Sequence, residues 1–221
     1  MTAPPSPPSP PSSVARAAPI LEAALSELGV EPTPALVGSL AALAALLESW
    51  SARIHLTGHK TLEAMVQGLI VEALAVERAM PSGLASIVDV GSGAGFPGLP
   101  VALLRPSCRV TLLEPRERRH HFQKAAIRDL AVGNVRALRG RSGTAPATPY
   151  AGAIAQALAD PGVALGWLRD WVEVGGYAML ALSDPWREFT VSPDFEPIAP
   201  IRYQVPLTGK RRALWLARRI R

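Results

Sequence analysis

The sequence predicts an α/β protein. An open, mostly parallel sheet carries helices on both faces, an antiparallel C-terminal hairpin closes one edge, and a helical extension precedes it. Three observations predict this. Short apolar runs alternate with helical stretches between residues 87 and 182, the pattern of a sheet wound with crossover helices. The first run is followed by Gly91, Gly93 and Gly95 and then by a helix start at Pro97, the layout of a ligand crevice at a strand's carboxyl end. The final residues read as two strands, 201–206 and 213–219, around a Leu-Thr-Gly-Lys-Arg-Arg turn.

The chain has 221 residues and 48% hydrophobic content, enough for one α/β domain and an extension. Residues 1–19 are rich in Pro, Ser and Ala and are expected to be disordered. Residues 20–83 are read as the helical extension, with helices over 20–28, from Thr33 or Pro34 to Trp50, and from His59 or Thr61 to Met80. In the last, Leu62, Met65, Val66, Leu69, Ile70 and Ala73 recur at helical spacing. Residues 84–221 form the catalytic-type domain. Its strands are read at 87–90, 109–113, 135–138, 152–155 and 177–182, and its helices at 97–104, 116–130 and 162–171.

No run approaches the ~20 apolar residues of a membrane span, and no charged segment followed by an apolar one opens the chain. The one cysteine, Cys108, excludes an internal disulfide and fits a reducing compartment. A cytoplasmic protein without a membrane partner is expected, acting as a monomer. The net charge is +5, and from Ile201 onward there is no acidic residue while Arg202, Lys210, Arg211, Arg212, Arg218, Arg219 and Arg221 are basic. A second basic cluster holds Arg116, Arg118, Arg119, Lys124 and Arg128. Clustered positive charge suits a polyanion such as RNA, through phosphate contacts, or a solvated face.

The glycine spacing narrows the ligand. A dinucleotide fingerprint needs Gly-x-Gly-x-x-Gly, and its third glycine would fall on Phe96. The spacing found, Gly-x-Gly-x-Gly with Asp89 two residues ahead, resembles motif I of the S-adenosylmethionine-dependent methyltransferases. Glu114 ends the second strand, where an acid can accept both ribose hydroxyls because a carboxylate offers two oxygens. The turn Gly140-Arg141-Ser142-Gly143 after the third strand can bring backbone N–H groups to the adenine edge.

The run V-D-V-G-S-G-A-G-F-P-G-L-P (88–100), then R-P, V-T-L-L-E (110–114), N-V and G-R (140–141) resembles the glucose-inhibited division protein B family. Trp50 with Leu56-Thr57 resembles that family's W-N-x-x-x-N-L-T segment. The resemblance covers roughly residue 36 to the C-terminus and is dense from 87 to 141. It implies a Rossmann-like class I methyltransferase fold with a seven-stranded sheet, S-adenosylmethionine as cofactor, and methylation of N7 of a guanine in small-subunit (16S) ribosomal RNA. It implies cofactor contacts at Gly91, Gly93, Gly95, Phe96, Glu114 and Arg141, to which the turn after the third strand adds Ser142 and Gly143 as candidates. Lys210, Arg211 and Arg212 are expected to hold RNA. Several positions depart from the family pattern. Ser51 and His55 stand for two asparagines, Gly68-Leu69 for Arg-His, Glu72-Ala73 for Asp-Ser, and Gly143 for an acid. Ala155-Gln156-Ala157 stands for Ser-Arg-Ala, and Leu182-Ser183 for Lys-Gly. These departures leave two alternatives: a paralogue of the same fold acting on a small molecule or protein, or a non-catalytic binding protein.

Guanine N7 carries an in-plane lone pair and no proton, so its methylation needs alignment and exclusion of water rather than a general base. No catalytic side chain is therefore assigned. The sequence also lacks the Asn/Asp-Pro-Pro-aromatic segment expected for amine methylation and a Pro-Cys nucleophile for pyrimidine C5. The four histidines lack the spacing of a metal set, so no metal is expected. Trp186, after the fifth strand, could stack a base or simply pack.

Overall fold

A computed structural model describes residues 12–143, 149–156 and 159–221. Seven strands form one sheet in the order β3-β2-β1-β4-β5-β7-β6. They are β1 (Ser86–Val90), β2 (Arg109–Glu114), β3 (Val135–Arg139), β4 (Tyr150–Gln156), β5 (Val172–Ser183), β6 (Phe195–Val205) and β7 (Lys210–Arg219). β1 to β5 pair in parallel, and β7 runs antiparallel to both β5 and β6. The mostly parallel sheet with a C-terminal hairpin thus stands as expected.

The extension comprises α1 (Ser13–Glu27), α2 (Pro34–Ser51), α3 (Leu62–Met65), a π-helical segment (Val66–Val71) and α4 (Glu72–Ala79). Local chemistry sets its helix ends. Ser12, Thr33 and Thr61 each accept a hydrogen bond from a backbone N–H three residues on, satisfying donors that a helix start leaves free. Gly29, at φ +68°, ends α1 in the left-handed conformation that glycine adopts without penalty.

α1 corrects one expectation. Residues 13–19 are helical, not disordered, while residues 1–11 lie outside the described residues. Ala17, Leu21, Ala24 and Leu25 make a fully buried stripe, and Arg16 pairs with Glu63 at 2.7 Å. Tertiary packing outweighs the cost of Pro19 inside the helix. α2 is long and apolar enough to cross a membrane by length and composition, but Val37, Leu40, Ala41, Leu43, Ala44 and Leu47 are buried in the core.

Two apolar layers flank the sheet. One joins Leu21, Leu40, Leu47 and Leu74 of the extension to Ile87, Leu112 and Leu214 of the sheet. The other packs Leu165, Leu168 and Trp171, from α7 (Pro161–Arg169) and the residues after it, on Val88, Ala153 and Trp215. Two further helices, α5 (Gly98–Leu104) and α6 (Glu117–Asp129), follow β1 and β2. β6 starts at Phe195, earlier than the sequence suggests, and runs through Pro197 and Pro200. Prolines are tolerated there because β6 is the edge strand of the sheet among the described residues.

Candidate cofactor and substrate site

The glycine loop sits at the carboxyl ends of β1 and β2. Gly91, Gly93 and Gly95 all have positive φ, at 73°, 58° and 88°, where a side chain would be strained. Their roles differ. A Cβ on Gly95 would lie 2.5 Å from Leu99 Cδ1, so this glycine lets α5 pack on the loop. A Cβ on Gly93 would meet only Arg119 Nη1, at 3.7 Å, and would project into open space.

Three side chains hold the loop. Gln123 of α6 is fully buried and donates from Nε2 to Ser92 Oγ and to the Gly93 carbonyl, both at 2.8 Å. Asp89 Oδ2 accepts from Gly98 N–H at 2.8 Å. Glu114 accepts from Gly93 N–H at 3.0 Å and from Arg116 N–H at 2.8 Å, one bond on each oxygen. Burial pushes the Asp89 carboxyl well above the usual carboxylate range; the Gly98 bond opposes this and the Glu114 charge adds to it. Asp89 Oδ1 and Gln123 Oε1 are buried without a partner among the described residues.

Two cavities flank the loop and share Gly91. One, of about 390 Å³, is bordered by Val90, Leu113, Pro115, Gly140, Arg141, Ser142, Gly143 and Trp167. The other, of about 340 Å³, is bordered by Gly93, Phe96, Thr57, His59, Arg119 and Gln156 among others. Glu114 lies between Leu113 and Pro115 of the first cavity and bonds Gly93 of the second. A third cavity, of about 410 Å³, opens at the amino ends of the strands, beside Arg109, Asn134 and Arg136, away from the loop.

This arrangement fits S-adenosylmethionine. The apolar chamber with the Trp167 indole suits adenine, and the chamber with Arg119 and Gln156 suits the methionine end. The carboxylate at their junction suits the ribose, since each oxygen keeps a second lone pair. Backbone at Gly93 permits a close approach that any Cβ would fill.

The structure brings together seven of the eight expected cofactor residues. Gly91, Gly93 and Phe96 border the methionine-side chamber, and Arg141, Ser142 and Gly143 border the adenine side. Glu114 stands at their junction. Gly95 borders neither chamber. The Ser142 hydroxyl donates to Trp167 O and accepts from Trp171 Nε1, so it fixes the turn. The basic trio divides. Arg212 pairs with the buried Glu72 at 2.6 Å, whereas Lys210 and Arg211 are exposed. All three lie at the carboxyl end of the sheet, because Arg212 pairs with Ser183 at the end of β5.

Sequence reasoning missed Gln123, Arg119 and His59 as parts of this site. Gln123 and Arg119 are four residues apart on α6, so they share a helix face; a glutamine flanked by Phe122 and Ala125-Ala126 was the available signal. The His59 ring fills the space over Gly68, where a Cβ would lie 2.4 Å from its Cε1. The departure at Gly68 and the histidine nine residues earlier are thus one structural feature. Ala157 lies outside the described residues. Among the described residues no group of three or more His, Cys, Asp or Glu could hold a metal.

The sheet order and the crevice around the glycine loop are those of the Rossmann-like class I methyltransferase fold. A solved S-adenosylmethionine-dependent methyltransferase from Aquifex aeolicus shares the fold with TM-score 0.52 and 15% identity, over 71% of this chain and 93% of that one. The family model for GidB, rRNA small subunit methyltransferase G, matches residues 37–188, and the chain belongs to this family. Among named relatives, ribosomal RNA small subunit methyltransferase G of Clostridium botulinum (strain Loch Maree) is 30% identical over 146 residues, 63% of this chain and 61% of that protein. That of Stenotrophomonas maltophilia (strain K279a) is 33% identical over 165 residues, 75% of this chain and 73% of that protein.

Proposed function

We propose that the protein transfers a methyl group from S-adenosylmethionine to N7 of a guanine in small-subunit (16S) ribosomal RNA. The observation that carries the reading is the two-chambered crevice around the glycine loop in a chain of this family. The cofactor supplies an electrophilic methyl group on sulfur. Gly91, Gly93 and Phe96 would hold its methionine end, Glu114 its ribose, and the 140–143 turn with Trp167 its adenine.

The chain's remaining task is to present N7 in line with that methyl and to keep water out. N7 has no proton to lose, so no general base is required. The methionine-side chamber also carries Leu56 and Leu69 on its border, an apolar rim that suits a flat, partly apolar base placed beside the cofactor. Lys210 and Arg211, exposed at the same end of the sheet, would meet phosphates. The protein acts as a cytoplasmic monomer without a membrane partner in this reading.

The test is transfer of labelled methyl from S-adenosylmethionine to small-subunit ribosomal RNA, bare and within the subunit, with the product nucleoside identified. Label in 7-methylguanosine is expected. No label in either RNA, from protein that binds the cofactor, would overturn the reading in favour of another acceptor or a non-catalytic role.

A further inference from the structure

Beyond the end of β5 the chain turns through Asp184, Pro185 and Trp186. With Glu188 and with Arg202 of β6 these residues border a cavity of about 180 Å³. The Trp186 ring is half-buried. It packs against the apolar layer under α7, and the Arg202 guanidinium lies over it, 5.0 Å from the ring centroid. That guanidinium is lightly held: its pairing with Asp184 is 3.5 Å long and its side chain is 62% exposed, so displacing it costs little.

The position of this pair gives it meaning. Ala181 of β5 pairs with Gln156 of β4, which borders the methionine-side chamber; the turn begins three residues further on. Asp184 N–H donates to Arg211 O at 3.3 Å, which fixes the turn to the hairpin. Alternation along β7 puts Arg211 on the same face as Trp215, in the layer that Trp186 packs against, and opposite to Arg212. One face at the substrate end of the sheet therefore carries an aromatic ring and two exposed cations, Arg202 and Arg211.

We propose that Trp186 is the floor of a nucleobase-stacking subsite that takes an unpaired base of the RNA next to the target guanine. The base occupies the ring face now covered by Arg202, and the guanidinium moves to the adjoining phosphate. The Asp184 and Glu188 carboxylates accept hydrogen bonds, so the subsite takes bases with an exocyclic amine: guanine, adenine or cytosine. This rests on the RNA-methylating reading above.

The experiment measures methyl-transfer kinetics and RNA binding with small-subunit ribosomal RNA for the wild type, Trp186→Ala, Trp186→Phe and Arg202→Gln. Trp186→Ala is expected to raise KM for RNA about 5- to 150-fold, the worth of one base–aromatic stack. Its kcat and cofactor affinity should be unchanged, and Trp186→Phe should recover most of the loss. Arg202→Gln should lower the slope of log K against log salt by about 0.7, one phosphate contact on a single strand. An unchanged KM in folded Trp186→Ala, or Trp186→Phe as defective as Trp186→Ala, would overturn the subsite. If Trp186→Ala does not fold, an unchanged salt slope in Arg202→Gln overturns it instead. A wild type that binds cofactor but neither binds nor methylates RNA would sink the proposed function itself.

Discussion

The two ends of the sheet are built from the same strands and finished differently. At the amino end, polar side chains satisfy backbone carbonyls. Arg105 bonds Glu77 Oε1 at 2.6 Å and reaches the carbonyls of Glu77, Met80 and Pro81. Asn134 Nδ2 reaches those of Ala102, Arg105 and Cys108. Arg218 donates to Gly175 O, and Arg219 to Arg169 O and Val172 O. One buried oxygen there, Glu77 Oε2, has no partner among the described residues. At the carboxyl end three glycines hold positive φ in a loop bordered by two cavities, and beneath it Asp89 of β1 and Gln123 of α6 each keep one buried oxygen without a partner among the described residues. The amino end is tied up in holding the fold together; the carboxyl end leaves the backbone of its glycine loop open to two cavities.

Five variants test that division. The largest effect is expected from Gly93→Val, which places a branched side chain where cofactor should approach. Calorimetric titration should show no measurable binding, while strain at positive φ costs about 1–2 kcal/mol of stability. Unchanged affinity in a folded variant would remove the glycine loop from the site. Arg105→Ala probes the opposite end. It leaves Glu77 buried and unpaired, so urea denaturation should show a loss of about 3–5 kcal/mol, with cofactor affinity intact. A loss of cofactor affinity here would mean that the two ends are coupled.

Strand β7 allows both ends to be compared with like residues. Joint Lys210→Ala and Arg211→Ala should lower the salt slope of RNA binding by about 1.4, two phosphate contacts. Arg219→Ala should lower Tm and leave that slope alone; the reverse result would exchange the roles assigned to the two ends. The smallest effect is expected from Asp89→Asn. The folded chain holds the Asp89 proton more tightly than the unfolded chain does, so wild-type stability falls as pH rises past the ordinary carboxyl range of about 4. Asparagine carries no such cost and keeps an oxygen for Gly98 N–H. The Tm of the variant minus that of the wild type should therefore grow as pH rises from about 4 towards neutrality. A constant difference would mean that Asp89 does not titrate as its burial dictates.

The sequence was most legible where backbone conformation dictates residue type. Gly91, Gly93 and Gly95 at alternate positions could be read because φ > 0 leaves few choices. The parallel strands could be read because burial on both faces demands continuous apolar runs. Long-range pairing left no such trace. Arg212 looked like part of a basic patch, and its partner Glu72 lies 140 residues away. Gln123 carries no motif, since its function depends on a loop thirty residues earlier. Composition misled twice. Pro19 hid the first turns of α1, and Pro197 with Pro200 hid the start of β6; in both places tertiary context tolerates a residue that local propensity rejects.

Glu72 has a wider consequence. Its pairing with Arg212 ties α4 to the start of β7, and Glu27 Oε2 accepts from Leu207 N–H at 3.2 Å, which ties α1 to the tip of the same hairpin. Leu40, Leu47 and Leu74 share one apolar layer with Ile87, Leu112 and Leu214. The helices before β1 therefore serve as one wall of the enzyme. A polypeptide beginning at residue 84 would keep only α5 and α6 on that sheet face, expose the apolar surface the extension covers and strand the Arg212 charge, so residues 84–221 are not a module that can be lifted out or exchanged alone.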